Sequence, residues 1–262
     1  MKVRSLGYQT DLMIRLLEGS QAEDRGDYLV VRTPRNPTYW WGNFLLLAES
    51  PKSGDAEKWL ARFADEIPGA RHIALGIDVT EASMVDTREL IAAGLRLERS
   101  AVLTAHELHE PPHPNAEAEF RPLAGDDDWR QAARLRAVLY EGEPGSDPEF
   151  LAARIAAERG LTEAGHGVWF GAFTGGELSA QLGLITDGSG IARYQNVETH
   201  PEHRRRGLAG TLVWHAGLDF LTARDVSTLV IVADPKDVAI RVYRSVGFAD
   251  AESQIAFDQP PG

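Results

Sequence analysis

Apolar residues in the C-terminal half of the chain follow two different periods. Three extended segments joined by glycine-rich turns predict an antiparallel meander, at residues 167–173, 178–186 and 191–199. The apolar period then becomes helical over residues 207–223 and 237–245, and a short apolar run at 228–233 separates these two helices. This order of elements predicts a mixed α/β layer and excludes a dinucleotide-binding unit and a barrel.

The preceding residues predict a short strand at 120–123 and two helices, the first at 126–140 and the second opening at Asp147 and Pro148. The first half of the chain ends in a similar way, with a strand, a helix and a strand at residues 72–78, 86–93 and 96–105. Leu90 and Gly94 there have the spacing of Tyr243 and Gly247. This self-similarity indicates a duplicated domain.

A segment rich in proline and charge, residues 109–118, has no apolar period and is predicted to be a linker. It divides the chain into a first domain at residues 1–108 and a second domain at 119–262.

Composition narrows the possible functions. With 43% hydrophobic and 25% charged residues, the 262-residue chain is predicted to fold in water. It has no cysteine, which excludes disulfides, thiolate metal ligands and a cysteine nucleophile. The formal charge of −12 disfavours nucleic acid as a partner. Charges scattered through the first residues disfavour a signal peptide or a membrane span, so we expect a cytoplasmic protein. We expect no metal site.

The segment around residues 204–210 has the features of a phosphate site. Three arginines precede a glycine, and an amphipathic helix begins there. Backbone N–H groups at a helix N-terminus are free to bind an anion, and the helix dipole adds about 0.3–1 kcal/mol. Small residues at Gly207, Ala209 and Gly210 are expected to let a pyrophosphate approach the backbone.

Two motifs make this segment resemble the GNAT family of N-acetyltransferases. The sequence R-R-R-G-L-A, from Arg204 to Ala209, fits the family signature Q/R-x-x-G-x-G/A, and Pro201 precedes it as in the family. The sequence AIRVYRSVGF, at residues 239–248, resembles the family element A-x-x-L-Y-x-x-x-G-F. The resemblance implies an α/β (α+β) fold with two GNAT-like domains, each a mixed, mostly antiparallel sheet flanked by helices.

The resemblance also implies acetyl-CoA as co-substrate and a set of residues that hold it. The pantetheine arm would pair like an added strand with Val197, Glu198 and Thr199. The pyrophosphate would be held by the loop, at Arg204, Arg205, Arg206, Gly207, Leu208, Ala209 and Gly210.

Catalytic roles follow from the same resemblance. The backbone N–H near Val197 would stabilise the oxyanion that forms when an amine attacks the thioester, and Tyr243 would protonate the departing thiolate. The amine must lose a proton, for which Glu198 is the first candidate base, with Asp234 and His200 as alternatives. Tyr243 could instead be a core residue facing the sheet.

The first domain has neither motif, because AESPKSGDAEKW replaces the phosphate loop and Leu90 the tyrosine. We expect it to be a degenerate GNAT-like half, as in tandem members of the superfamily. The whole chain is thus expected to transfer acetyl groups from acetyl-CoA to a primary amine of a small molecule or peptide. A homodimer is one possible oligomeric state. The alternative is a non-catalytic acyl-CoA sensor or scaffold.

Overall fold

The computed structural model describes residues 1–142 and 147–260, which form two compact units. The first unit contains Met1–Val102 and residues from 251 onward, and the second contains Leu103–Asp250. The division differs from the expected domains at two places. Residues 109–118 belong to the second unit, and the last strand returns to the first unit because Ile255 to Gln259 pair with Ile77 to Ile73.

The first unit is a mixed sheet flanked by helices. Its helices are α1 (Leu6–Leu17), α2 (Ala56–Glu66) and α3 (Arg88–Ala92). Its strands are β1 (Gln21–Asp24), β2 (Tyr28–Arg32), β3 (Phe44–Leu47) and β4 (Ile73–Ile77). Two further strands, β5 (Arg96–Ala105) and β11 (Ala249–Gln259), contain the boundaries between the units. Strands β1, β2 and β3 are antiparallel, β3 and β4 are parallel, and β11 pairs antiparallel with β4.

The second unit repeats this arrangement. Its strands are β6 (Glu119–Pro122), β7 (Gly167–Thr174), β8 (Glu177–Ile185), β9 (Ile191–Thr199) and β10 (Thr228–Ala233). Its helices are α4 (Gly125–Leu139), α5 (Pro148–Glu163), α6 (Leu208–Ala223) and α7 (Ala239–Ser245). Strands β6 to β9 form an antiparallel meander, and β10 pairs parallel with β9. The predicted fold class is confirmed: each unit has a mixed, mostly antiparallel sheet flanked by helices.

Apolar packing fixes α6 on the sheet of the second unit. The apolar face of α6 is fully buried, at Leu212, Val213, Ala216 and Phe220. Trp169 of β7 is also buried and lies over Gly183 of β8, where a Cβ would come within 2.2 Å of its ring. This glycine therefore lets a large aromatic ring lie flat on the sheet, and α6 rests on a rigid support.

The predicted elements of the second unit are confirmed with small shifts at their ends. The strands predicted at residues 191–199 and 228–233 have those bounds, and the helix predicted at 207–223 begins one residue later. In the first unit, the helices α1 and α2 and the strands β1 to β3 were not predicted. No helix within the described residues is long and apolar enough to span a membrane.

Candidate active site

The two parallel strands β9 and β10 separate in the middle of the second unit. They pair at three positions, Ile191 with Thr228, Ala192 with Leu229 and Arg193 with Val230, and the pairing stops there. Six more residues of β9 follow, and on that side they have no partner among residues 1–142 and 147–260. The strands therefore leave a row of backbone groups of β9 open, and an extended ligand could pair with them.

A β-bulge interrupts β9 on its other side. Gln195 pairs with Gly183 and Glu198 with Gln181, so that Asn196 and Val197 together face Leu182. Asn196 has a φ of 48°, in the left-handed region that asparagine tolerates better than most residues. Val197 consequently has no partner residue on either neighbouring strand among the described residues.

The loop between β9 and α6 presents a row of backbone N–H groups. A short 3-10 helix at Pro201–His203 follows β9, Arg205 has a φ of 63° and Gly207 a φ of 76°. Among the described residues, the backbone N–H groups from Arg205 to Gly210 donate to no protein acceptor. Left-handed residues in such a loop aim consecutive N–H groups into one concavity, which is the geometry of an anion site.

The three arginines of the loop lie at the surface. Arg204, Arg205 and Arg206 are exposed, and none forms an ion pair with an acidic group of the described chain. Arg204 has one long hydrogen bond, from Nε to the carbonyl of Thr199 at 3.4 Å. The positive charge at this site is therefore available to a ligand.

The predicted linker lies across the N-terminal half of α6. We call residues 107–118 the strap. Its His109 N–H donates to the carbonyl of Val246 at 3.0 Å, and Pro111 is buried beside Gly210. A Cβ at Gly207 would lie 2.3 Å from the carbonyl oxygen of His113. The strap therefore occupies the space beside the α-carbons of Gly207 and Gly210, a packing role for these glycines that the sequence did not indicate.

Tyr243 lies on α7, which packs against α6 and β10. Its side chain is 6% exposed. Burial, with a smaller contribution from Asp237, raises the pKa of Tyr243 to about 12. Its hydroxyl has no hydrogen bond within the described residues. The phenol is thus held protonated at neutral pH and is free to donate.

Glu198 is part of a buried ion-pair network. Arg136 of α4 donates from Nη2 to Glu198 at 3.1 Å and from Nη1 to both oxygens of Glu158 at 2.7 Å. Gln181 donates to Glu198 at 2.6 Å, and Asn196 donates to Glu158 at 2.8 Å. Asn196 and Glu198, on the two sides of Val197, are therefore connected through the guanidinium group of Arg136, with Glu158 between Asn196 and Arg136.

Burial raises the pKa of Glu158, while the guanidinium groups of Arg136 and Arg154 act in the opposite direction. Arg154 lies 3.7 Å from this carboxylate. Two carboxylates and two guanidinium groups balance in charge, which makes their burial tolerable.

The structure places the predicted residues in two groups. Val197, Glu198 and Thr199 line the open edge of β9, and the loop from Arg204 to Gly210 follows directly. Tyr243 lies on the helix after β10, the strand that forms the other side of the opening. The alternative bases are bound locally: Asp234 accepts from the N–H of Lys236 at 2.8 Å, and His200 from that of Glu202 at 3.3 Å.

Sequence reasoning missed Arg136, Glu158 and Asn115 as parts of this site. The signal for Arg136 was a charged residue beside Leu135, at a position of α4 that the helical period places toward the core. Glu158 had the same signal near Leu161. Nothing in the sequence distinguished Asn115 from the other polar residues of the strap.

Comparison with known proteins adds a family to this geometry. Residues 127–248 match the model of the acetyltransferase (GNAT) family. No curated protein matches the chain significantly in sequence.

Solved structures resemble the chain over almost its whole length. A GCN5-related N-acetyltransferase from Kribbella flavida has a TM-score of 0.64 at 14% identity, with coverage of 98% of this chain and 97% of the other. A GCN5-related N-acetyltransferase from Sphaerobacter thermophilus has a TM-score of 0.58 at 18% identity, covering 90% and 82%. A tandem GNAT protein from the clavulanic acid biosynthesis pathway has a TM-score of 0.58 at 13% identity, covering 95% and 88%. At these identities the likeness shows the fold.

Proposed function

From the membership of this chain in the GNAT superfamily, we propose that it transfers an acetyl group from acetyl-CoA directly to a primary amine. The observation that carries the proposal is the open edge of β9 leading into a loop of free N–H groups. An extended arm that ends in a pyrophosphate fits both features at once.

The residues present fit acetyl-CoA. The open edge at Val197, Glu198 and Thr199 would pair with the pantetheine arm, and the N–H groups from Arg205 to Gly210 would bind the pyrophosphate. The exposed guanidinium groups of the loop would add attraction for phosphate. The bound co-substrate supplies an activated acetyl thioester.

The bulge in β9 supplies the proposed N–H donor for the reaction. Val197 has no partner residue on either neighbouring strand in the described part of the chain, and its N–H is the proposed donor to the carbonyl oxygen on which negative charge develops. A donor that is already fixed in place stabilises such charge without reorganisation, and loss of one such donor typically costs about 10²–10³ in rate.

Tyr243 is the proposed general acid. A phenol with a pKa of about 12 remains protonated throughout the physiological range and can give its proton to a leaving thiolate. The raised pKa makes it a weak acid, so the proton transfer would depend on close placement more than on acid strength.

Glu198 is the proposed base for the acceptor amine. Arg136 and Gln181 both donate to its carboxylate. An alkylammonium with a pKa near 10.4 costs about 4–5 kcal/mol to neutralise at pH 7. Glu198 would take this proton, directly or through a water molecule, before the amine attacks the thioester.

The proposed acceptor is a small molecule or a peptide with a primary amine. The formal charge of −12 favours a cationic partner over nucleic acid. We also propose that the protein acts away from membranes, in the cytoplasm, without a metal, and that a homodimer is one arrangement it can adopt.

One observation favours a second function, that of a non-catalytic acyl-CoA sensor. The first candidate base is bound by two donors, and the candidate acid is almost completely buried. A protein that binds acetyl-CoA and reports its presence would need neither group to be reactive.

A transfer assay with a panel of amines and peptides separates the two functions. With a responsive acceptor, Tyr243→Phe is expected to lower kcat about 100-fold and to leave the affinity for acetyl-CoA unchanged. Tyr28→Phe is the matched control, since Tyr28 is also buried but belongs to the first unit. Unchanged turnover in Tyr243→Phe would remove the acid from the mechanism. Tight binding of acetyl-CoA without transfer to any acceptor would favour the sensor.

A further inference from the structure

Asn115 of the strap is bound to the loop at two points. Its side-chain Nδ2 donates to the carbonyl oxygen of Arg206 at 2.8 Å. Its backbone N–H donates to Oγ1 of Thr211 at 2.9 Å, and this hydroxyl in turn donates to the carbonyl oxygen of Gly207 at 2.9 Å. One asparagine thus engages, directly and through Thr211, the carbonyls of two consecutive loop residues.

These carbonyls determine where the loop N–H groups point. A trans peptide is planar, so its C=O and N–H point in opposite directions. No cis peptide bond occurs in the described chain. When the carbonyl of Arg206 is held toward Asn115, the N–H of Gly207 must point away from the strap. The carbonyl of Gly207, which accepts from both the N–H and the hydroxyl of Thr211, orients the N–H of Leu208 in the same way.

Asn115 is itself fixed in place. Its Oδ1 accepts from the N–H groups of Glu117 at 3.0 Å and Ala118 at 2.9 Å, and the residue is half-buried. Pro111 lies beside Gly210, where a Cβ would be 3.3 Å from the proline ring. A ring with a fixed φ and an asparagine whose backbone N–H, Nδ2 and Oδ1 are all bonded make this part of the strap a rigid support.

We propose that Asn115 is a positioning residue of the acetyl-CoA site, which acts through Arg206 and Thr211 to aim the N–H groups of Gly207 and Leu208 at the pyrophosphate. This inference rests on the proposed function and assigns part of it to the segment between the two predicted domains.

Loss of the side chain releases a loop with unusual backbone angles. Arg205 and Gly207 both have positive φ values, and glycine moves readily among several conformations. Without Asn115, the free loop samples orientations in which the N–H groups no longer converge. The ligand must then order the loop when it binds, and one lost neutral hydrogen bond corresponds to about a three- to tenfold weaker affinity.

The test measures acetyl-CoA binding by calorimetry in the full chain, for the wild type, Asn115→Ala and Thr211→Val. Thr222→Val is the matched control: Thr222 lies on the same helix and its hydroxyl donates to the carbonyl of Leu218 at 2.6 Å, but no hydrogen bond joins it to the strap in the part of the chain that the structure describes. Acetyl-pantetheine, which has the thioester arm without the pyrophosphate, is measured by competition with acetyl-CoA. Thermal unfolding of each variant reports its stability.

The proposal predicts that Asn115→Ala and Thr211→Val bind acetyl-CoA three- to tenfold more weakly, about as estimated for one hydrogen bond, with unchanged affinity for acetyl-pantetheine. Thr222→Val should bind both ligands like the wild type. Equal weakening for both ligands would make the role of Asn115 merely structural and overturn the proposal. Tighter binding in Asn115→Ala would also overturn it, because the strap would then compete with the ligand. Absence of binding in the wild type would refute the proposed function first, and this inference with it.

Discussion

Each unit contains a junction at which a strand leads through a loop into a helix, and the two junctions differ in what they leave unpaired. In the first unit, β3 leads into α2, and it pairs with the parallel strand β4 up to its last residue, Leu47 with Ile77. The ladder even continues, since the N–H of Asp78 donates to the carbonyl of Leu47 at 2.8 Å. In the second unit, β9 leads into α6 but is paired with β10 over three residues only.

The loops differ in the same sense. In the first unit, the carboxylate of Glu89 accepts from the N–H of Gly54 at 2.6 Å and from the hydroxyl of Ser53 at 2.9 Å. A side chain of the protein thus takes the place of an external anion. In the second unit, the N–H groups from Arg205 to Gly210 have no such acceptor among the described residues. The comparison teaches that the two junctions differ in the backbone groups that the fold leaves free, and the proposed ligand site lies at the junction where they are free.

The larger of the two clefts beside these junctions lies in the first unit, where the strands are paired. A cleft of about 590 Å³ lies beside the first junction, lined by Lys52, Lys58 and Trp59 among others. The cleft near the loop of the second unit has about 260 Å³. The larger cleft also includes the carboxylates of Asp27 and Asp55, which oppose an anion. The proposed site is thus inferred from the unpaired N–H groups and not from cavity volume.

The largest expected effect concerns the ion pairs that accompany the open strand. Arg136→Met leaves Glu158 and Glu198 buried without their common partner, and such a loss typically reduces the free energy of unfolding by about 3–5 kcal/mol. Denaturant titration measures it. Arg88→Met, which removes an exposed ion pair with Asp86 in the first unit, is the control and should change little. Equal effects of the two substitutions would show that the network does not support β9.

A smaller effect is expected from the charges of the two junctions. Replacement of Arg204, Arg205 and Arg206 by alanine should weaken acetyl-CoA binding about tenfold at low salt, since each exposed cation contributes a modest, salt-screened attraction. Replacement of Lys52 and Lys58 by alanine removes cations beside the other junction and should have no effect. Calorimetry at two salt concentrations measures both. A loss of affinity in the lysine variant would place a ligand in the first unit.

Glu89→Gln makes the two junctions more alike. The substitution weakens the internal acceptor of the first loop and should lower the free energy of unfolding by about 0.5–1 kcal/mol. It should not create an acetyl-CoA site, because β3 and β4 remain paired. The measurement is the number of acetyl-CoA molecules bound per chain. A second binding site in this variant would show that Glu89 alone had closed the first unit.

The smallest expected effect concerns the pH dependence of kcat, which the ionisation of Tyr243 should not change in the physiological range. Because burial raises the pKa of Tyr243 to about 12, the phenol stays protonated below about pH 11, and kcat should have no alkaline limb from this residue up to about pH 10. Stability associated with the neutral phenol is present below the ordinary tyrosine pKa of about 10 and is lost as pH rises through about 12. A limb near pH 9 that disappears in Tyr243→Phe would contradict the burial of this residue.

The sequence predicted the second unit better than the first for physical reasons. The strand β9 and the helix α6 each follow a glycine and have a recognisable apolar pattern, so the local sequence was enough to predict them. The loop could be recognised because its arginines and glycine are consecutive. In the first unit, β3 is four apolar residues long, too short for a period to distinguish a strand from a buried helix turn.

The remaining parts of the site depend on contacts between distant residues. Arg136 and Glu198 are 62 residues apart, and their ion pair follows from the packing of α4 on the sheet. Asn115 and Arg206 are 91 residues apart. A proline-rich segment has no apolar period whether it is a free linker or a strap, so the sequence could not show that it lies on α6.

The most direct test of the difference between the two junctions is the number of acetyl-CoA molecules that one chain binds. We predict a single site in calorimetric titration of the wild type, weakened when the arginines of the second loop are replaced and unaffected when Lys52 and Lys58 are replaced. Two sites of similar affinity would contradict this prediction, because the first junction would then be as open to the ligand as the second. Absence of binding would also contradict it, because the second junction would then be as closed as the first.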